Sequence, residues 1–124
     1  MITLPPSVKI YVCVAPTDMR KGFDGLCGLA ERVLEQDPLS GHLFVFRNRT
    51  RDRLKVLYWD NDGLAIWYKR LERGRFQLPT DLLASDEVSP RAEISANDLH
   101  LLLGGIDLAS VKRRRRYQRP TKPR

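Results

Sequence analysis

Residues 43–79 read LFVFRNRTRDRLKVLYWDNDGLAIWYKRLERGRFQLP, and this stretch decides the fold. It contains both tryptophans and seven of the chain's ten aromatic residues. It also contains nine of the twenty-two basic residues but only four acidic ones. Because aromatic side chains fill cores and arginines bind anions, this one segment is expected to supply both the core and the functional surface.

The first half of this stretch predicts two β-strands, at residues 43–46 and 54–59, because both runs are rich in apolar and strand-favouring residues. Residues 47–53 between them are polar and typical of a turn, which favours an antiparallel hairpin. On the second strand, alternation places Leu54 and Val56 on one face. The opposite face is mixed in polarity, so something is expected to pack on part of it.

The second half predicts a helix over residues 63–73. Its apolar residues recur at helical spacing, and Gly74 stands where a C-terminal cap belongs. The alternative is a β-hairpin that turns at 72–74, since Ile66, Trp67 and Phe76 also suit strands. A short strand is predicted at 75–78.

Other elements flank this stretch. A first strand is predicted at 8–14 and a helix at 19–36, capped by Thr17 or Asp18. Three glycines in that helix, at 22, 25 and 28, are interpreted as a place where another backbone approaches closely. Residues 80–93 predict an irregular linker, and a short helix follows at 95–103, opened by a capping box at Ser95 and Asp98.

The expected fold is a small single α+β domain over residues 1–110, with an antiparallel sheet of about four strands and two to three helices. The basic charge lies mostly beyond it. Residues 111–124 carry eight basic residues and no acid, whereas the other 110 carry fourteen basic and fifteen acidic residues. This basic C-terminal tail is predicted to be disordered.

Several classes of protein are disfavoured. No apolar run approaches the roughly 18 residues of a membrane span, and the N-terminus lacks the pattern of a signal peptide, so a cytoplasmic protein is expected. Cys13 and Cys27 show no metal-ligand spacing and are interpreted as buried free thiols, while His42 and His100 are far apart. No metal and no cofactor are predicted.

The acidic turn at residues 60–63 is the best candidate for a metal enzyme. A calcium loop that began at Asp60 would need a glutamate at its twelfth position, where Leu71 stands. No nucleophile motif is present and no spacing selects a catalytic set of carboxylates. The chain is therefore predicted not to be an enzyme.

The basic residues point to nucleic acid, because arginine pairs with phosphate through two hydrogen bonds. Two groups of candidate contacts are predicted, one around the hairpin tip and one in the tail. They are Arg47, Arg49, Arg51, Arg53, Lys55, Lys69 and Arg70, then Lys112, Arg113, Arg114, Arg115 and Arg116. A solvated strand edge and a solubilising tail are the competing interpretations.

Four segments carry a resemblance to a known family. They are PTDMRKGFDGL at 16–26, LFVFRNRTRDRLKVLYWDNDG at 43–63, WYKRLERGRF at 67–76 and ISANDLHLLLGGID at 94–107. In this order they resemble the TnpB-type accessory protein of the insertion sequence sixty-six (IS66) family of bacterial transposons. The resemblance implies a small non-catalytic protein that assists a separate transposase, with no catalytic residues to transfer.

Taken together, these observations predict an accessory protein for transposition that binds transposon DNA, the transposase, or both. A protein-binding face is predicted at Trp67, Tyr68, Leu71 and Phe76. One alternative is a protein-only assembly factor whose arginines meet acidic patches on the transposase. Another is a general nucleic-acid-binding regulator.

Overall fold

A mixed five-stranded sheet forms the centre of the fold, in a computed structural model that describes residues 5–82, 89–104, 106–107 and 112–113. The strands are β1 (Ile10–Cys13), β2 (Leu43–Arg47), β3 (Arg53–Asp60), β4 (Gly63–Arg70) and β5 (Arg91–Ile94). Their spatial order is β4-β3-β2-β1-β5. A small single α+β domain is therefore confirmed, whereas the predicted antiparallel sheet of about four strands is wrong.

The sheet is mixed because β1 and β2 run parallel, while every other neighbouring pair is antiparallel. Parallel neighbours need a long crossover, and helix α1 (Phe23–Arg32) lies within it. This helix is shorter than predicted. The predicted cap by Thr17 or Asp18 is wrong, because Gly22 stands at the N-cap and no side chain caps the helix. The carboxylate of Asp18 instead accepts hydrogen bonds from the backbone and side chain of Arg20 in the preceding turn. The helix ends before Glu35, whose φ is +55°.

The glycines of α1 do not bring another backbone close. The atoms nearest to a Cβ atom added at Gly25 belong to the side chain of Lys21, 3.1 Å away, and those nearest to one added at Gly28 belong to the side chain of Arg32, 3.4 Å away. A Cβ atom added at Gly22 would meet nothing within 4 Å. The interpretation of these glycines as a site of close backbone approach is therefore wrong.

The sheet buries one apolar layer on each face. Against one face, α1 packs Leu26 and Ala30 onto the fully buried Phe44. Against the other, helix α2 (Ala96–Gly104) contributes Leu99 and Leu102 to a second cluster. The α2 helix and its capping box are confirmed: the hydroxyl of Ser95 accepts a hydrogen bond from the backbone N–H of Asp98 at 3.0 Å. In the described residues, no helix combines the length and the apolar composition needed to cross a bilayer.

The helix predicted over residues 63–73 is wrong, because β4 occupies 63–70. The chain reverses through a two-residue turn at Asn61 and Asp62, and Asn61 adopts a φ of +56°, which asparagine tolerates. Eight residue pairs then join β3 to β4, with Val56 opposite Trp67 near the centre. The spacing that suggested a helix was accidental, since alternate residues of β4 lie on opposite faces of the sheet.

The alternative hairpin that turns at 72–74 and the strand predicted at 75–78 are also wrong. After Arg70 the chain leaves the sheet and bends at Gly74, where φ is +78°. It then inserts Phe76 and Leu78 into the core.

The irregular linker predicted over 80–93 is wrong at both ends. A 3-10 helix (Pro79–Leu82) occupies its start, and β5 pairs antiparallel with β1 at its end. Residues 83–88 lie outside the described residues. A short β6 (Ile106–Asp107) before the tail pairs with β7 (Lys112–Arg113), so the disorder predicted for residues 112–113 is wrong. Residues 111 and 114–124 lie outside the described residues, and their disorder stays a prediction.

Candidate nucleic-acid interface

Basic side chains gather at one end of the sheet. This end is formed by the β2–β3 loop, the start of β3, the end of β4 and the bend that follows it. The strand register fixes the arrangement, because Arg53 lies opposite Arg70 and Leu54 lies opposite Lys69. We call these basic side chains the basic surface: Arg49, Arg51, Arg53, Lys69, Arg70, Arg73 and Arg75. Arg53 is half-buried and the other six are exposed.

The β2–β3 loop is held rigid by its own polar side chains. The amide nitrogen of Asn48 donates to the carboxylate of Asp52 at 2.7 Å, and its oxygen accepts from the backbone N–H of Arg53 at 3.0 Å. The hydroxyl of Thr50 donates to the same carboxylate at 2.7 Å. The side-chain hydrogen bonds from Asn48 and Thr50 lower the pKa of Asp52. This carboxylate therefore shapes the loop that carries Arg49 and Arg51.

The loop is also fastened to the bend after β4. The carbonyl of Asp52 accepts from the N–H of Leu71 at 2.7 Å, and the carbonyl of Arg51 accepts from the N–H of Phe76 at 2.6 Å. These two hydrogen bonds bring together the two basic runs of the sequence, 47–53 and 69–75. The two backbone segments that carry most of the basic surface are thus hydrogen-bonded to each other.

Arg47 is not part of this surface, so the predicted phosphate contact at Arg47 is wrong. Its side chain is only 5% exposed and forms a two-pronged ion pair with Asp81, at 2.6 and 2.9 Å. It also donates to the carbonyl of Phe76 at 2.8 Å. Burial acts to raise the pKa of Asp81, but the bonds from Arg47 and the N–H of Leu78 outweigh it, so the pKa is lowered. This arginine ties the strand end to the 3-10 helix.

Lys55 is likewise internal, so its predicted role in nucleic-acid binding is wrong. Its ammonium group donates to the carbonyls of Met19 and Lys21, at 2.8 and 2.9 Å. It also lies 4.6 Å from the centre of the Tyr68 ring, a distance suited to a cation–π contact. The lysine therefore fixes the turn that precedes α1 onto the face of the hairpin.

Replacing Lys55 with methionine is expected to lower the free energy of unfolding by about 1–3 kcal/mol, because two partly buried carbonyls lose their donor. Urea unfolding would measure the change. The exposed Lys69, replaced with methionine in the same way, should change stability by less than about 0.5 kcal/mol. Equal losses in the two variants would contradict the structural role of Lys55.

Arg53 and Arg70 face each other directly on adjacent strands. Like charges in this position repel and destabilise a sheet. The pair lines an open depression together with Tyr68 and Glu72. Glu72 lies 3.2 Å from Arg70, but both side chains are about half-exposed, so this ion pair is weak. The depression retains a net positive charge and an aromatic ring, which suits a phosphate group.

The four residues predicted to bind a protein do not share a face. Phe76 is fully buried and cannot contact a partner, so this part of the prediction is wrong. Trp67 and Leu71 are half-buried against the core. Tyr68 is 48% exposed, on the opposite face of β4 from Trp67. A partner contact at Trp67, Tyr68 and Leu71 stays a prediction.

Five of the predicted nucleic-acid contacts, Arg49, Arg51, Arg53, Lys69 and Arg70, lie at the same end of the sheet, with Lys69 on the opposite face of β4 from Arg70. Sequence reasoning missed Arg73 and Arg75, although both stand in the same basic run, RLERGR. Lys112 and Arg113 lie in β7, and Arg114, Arg115 and Arg116 are outside the described residues. Their binding role stays a prediction.

The fold and this surface define a small α+β protein with a strongly basic end. The chain matches the family described as IS66 Orf2 like protein over residues 8–113, and it belongs to that family. It is 37% identical over 122 residues to an uncharacterized protein, y4jC, of Sinorhizobium fredii, covering 98% of each chain. It is 38% identical over 107 residues to a second one, y4hO, of the same organism, covering 86% of this chain and 88% of the other. No solved structure matches it.

Proposed function

We propose that this protein is a non-catalytic accessory factor for transposition of a bacterial insertion sequence, and that it acts in the cytoplasm by binding transposon DNA through the basic surface. The observation that supports DNA binding most directly is that Arg53 lies opposite Arg70 on adjacent strands at the basic end of the sheet. A DNA phosphate between the two guanidinium groups would offset their repulsion. Membership of the IS66 family links the chain to transposable elements.

The surrounding geometry supports backbone binding more than base reading. Arg49 and Arg51 are presented by a loop fixed through Asn48 and Asp52, so their backbone positions are set before DNA arrives. Phosphate contacts of this kind set orientation and supply affinity without reading sequence. The basic tail would add further affinity that is steeply salt-dependent.

The non-catalytic assignment is supported by what the carboxylates do. Asp18 binds Arg20, Asp52 binds Asn48 and Thr50, and Asp81 binds Arg47. Each of these acids holds a turn or an ion pair of the fold. The transposase of the element would then perform the chemistry.

The test is a salt series of DNA affinity with two matched full-length variants. Arg49→Gln with Lys69→Gln removes two charges from the basic surface, and the slope of log affinity against log salt should fall by about 2. Lys9→Gln with Arg32→Gln removes two exposed charges elsewhere and should leave the slope unchanged. Replacing the four arginines at residues 113–116 with glutamine in the full-length chain would measure how much of the salt-dependent DNA affinity comes from the tail.

Equal slopes for the two variants would overturn the assignment of the basic surface. If the protein causes no DNA shift even at low salt, DNA binding is refuted. If the transposase then still co-purified with this protein after nuclease treatment, the result would favour the alternative of a protein-only assembly factor.

A further inference from the structure

β4 is a long edge strand. It spans eight residues, Gly63–Arg70, and in the described part of the chain it pairs only with β3. The other edge, β5, has only four residues. Along an edge strand, every second residue directs its N–H and C=O groups away from the sheet, where they can pair with another strand. Soluble proteins commonly keep such edges short, and β4 is not short.

The face of β4 that lies on the α1 side is also incompletely covered. Leu64 and Ile66 belong to the core cluster on that side but are only half-buried, and Tyr68 beside them is 48% exposed. These three residues alternate along one face, as the pairing with β3 requires. They form a row of apolar surface next to the unpaired edge.

The charges at the two ends of β4 have opposite sign. The turn before the strand carries Asp60 and Asp62, both exposed. The end of the strand carries Lys69 and Arg70, also exposed. A strand with acids at one end and bases at the other is complementary to an antiparallel copy of itself.

We propose that β4 pairs antiparallel with β4 of a second copy of this chain, about a two-fold axis at Ile66. Strand alternation requires residues of the same face to lie opposite each other, and this register satisfies that condition. It places Ile66 opposite its own copy, Tyr68 opposite Leu64, and Arg70 opposite Asp62. The two sheets join into one continuous sheet with both α1 helices on the same face.

This register also offsets the repulsion described above, so in the dimer Asp62 of the other copy takes the place of a phosphate between Arg53 and Arg70, and DNA phosphates contact the remaining basic surface. Asp62 of one copy brings a carboxylate to Arg70 of the other, next to the opposed Arg53. The exposed ion pair of Arg70 with Glu72 is too weak to compete strongly. The interface goes beyond the proposed function, since it needs neither DNA nor a transposase.

Disulfide trapping tests the register. In a Cys27→Ser background, which removes the half-buried thiol, Ile66→Cys should form a dimer on mild oxidation. Residues opposite each other on antiparallel strands have Cα atoms about 4.5–5.5 Å apart, a distance that a disulfide spans. The matched control is Leu39→Cys, which is 51% exposed but lies outside the sheet and should stay largely monomeric. Equal trapping of the two variants overturns the register.

Charge exchange, measured by sedimentation equilibrium without DNA, gives a second readout. Arg70→Glu should raise the dissociation constant of the dimer by at least about tenfold, because two cross-strand pairs become repulsive. Combining Asp62→Arg with Arg70→Asp should restore it, while Arg32→Glu on α1 should have no effect. A monomeric protein at high micromolar concentration, or a dimer that Arg70→Glu leaves unchanged, overturns the proposal. Neither result bears on DNA binding by Arg49 and Lys69.

Discussion

Replacing Asp81 with alanine is expected to lower the free energy of unfolding by about 3–5 kcal/mol, because it leaves the guanidinium of Arg47 buried without its carboxylate. The two side chains are only 5% and 12% exposed, and two hydrogen bonds join them. Domains of this size have a total stability of about 5–15 kcal/mol, so the loss is a large fraction of it. Urea unfolding followed by tryptophan fluorescence would measure the change.

A double variant separates loss of the ion pair from loss of packing. Arg47→Met with Asp81→Leu removes both charges and keeps side chains of similar volume, so it should recover much of the stability lost in Asp81→Ala. The exposed ion pair of Asp18 with Arg20 offers the matched control, and Asp18→Ala should shift the urea midpoint far less than Asp81→Ala does. If Asp81→Ala and Asp18→Ala cost the same, the buried pair does not anchor the 3-10 helix.

The same carboxylate makes stability depend on pH. Because the pKa of Asp81 in the fold lies below its ordinary value of 3.8, the unfolded chain binds the proton more readily. The contribution of Asp81 is therefore complete above about pH 5 and is lost as the pH falls through its lowered pKa. The stability difference between the native protein and Asp81→Asn should shrink over that acid range. A difference that stayed constant down to pH 2 would contradict this linkage.

Much of the fold could be predicted because the sequence signals were local. Alternation identified the strands that became β1, β2 and β3, and the capping box at Ser95 identified α2. The parallel pairing of β1 with β2 also had a signal, since a strand, a helix and a strand follow one another as in a βαβ unit. The predicted antiparallel sheet is wrong because the chain crosses over through α1 and returns as β2 parallel to β1.

The element that was predicted wrongly, β4, carries an ambiguous pattern. Leu64, Trp67 and Tyr68 fit helical spacing, yet they also fit a half-buried edge strand on which both faces are partly covered. The stronger signal was the acidic turn at 60–63 directly after the strand predicted at 54–59, because a two-residue turn returns the chain as a hairpin. Tertiary pairing with β3 then decided the conformation.

The sequence predicted that basic residues form the candidate site, but it did not predict which of them are exposed and which are buried. Arg47, Arg49 and Arg51 alternate in the sequence and look equivalent, but only Arg47 is buried. Arg47 makes two short hydrogen bonds to Asp81, which is 34 residues away in the 3-10 helix, whereas the exposed Arg51 lies 3.7 Å from the same carboxylate. Lys55 is similar, since its acceptors are the backbone carbonyls of Met19 and Lys21. Side-chain type alone does not reveal such partners.

Replacing Phe76 with alanine is expected to cost about 3–5 kcal/mol of unfolding free energy, because its ring is fully buried in the core under β3. The residue also links the core to the basic surface. Its N–H bonds the carbonyl of Arg51, and its carbonyl accepts from Arg47. A cavity here should therefore loosen the loop that carries Arg49 as well as destabilise the fold.

Two controls distinguish this structural role from the protein-binding role that the sequence suggested. Phe23→Ala removes a ring that is 48% exposed and should cost less than about 1 kcal/mol. Phe76→Leu keeps most of the buried volume, so it should stay folded and should bind DNA as the native protein is proposed to do. If Phe76→Ala left stability intact but abolished transposase binding, the ring would have to reach the surface, which contradicts its position in the core. Loosening of the basic surface predicts a different result, namely that hydrogen exchange of the N–H groups in residues 48–53 accelerates in Phe76→Ala. Exchange there should stay unchanged in Phe23→Ala, because the backbone of Phe76 bonds the loop at Arg51 and Phe23 lies in α1.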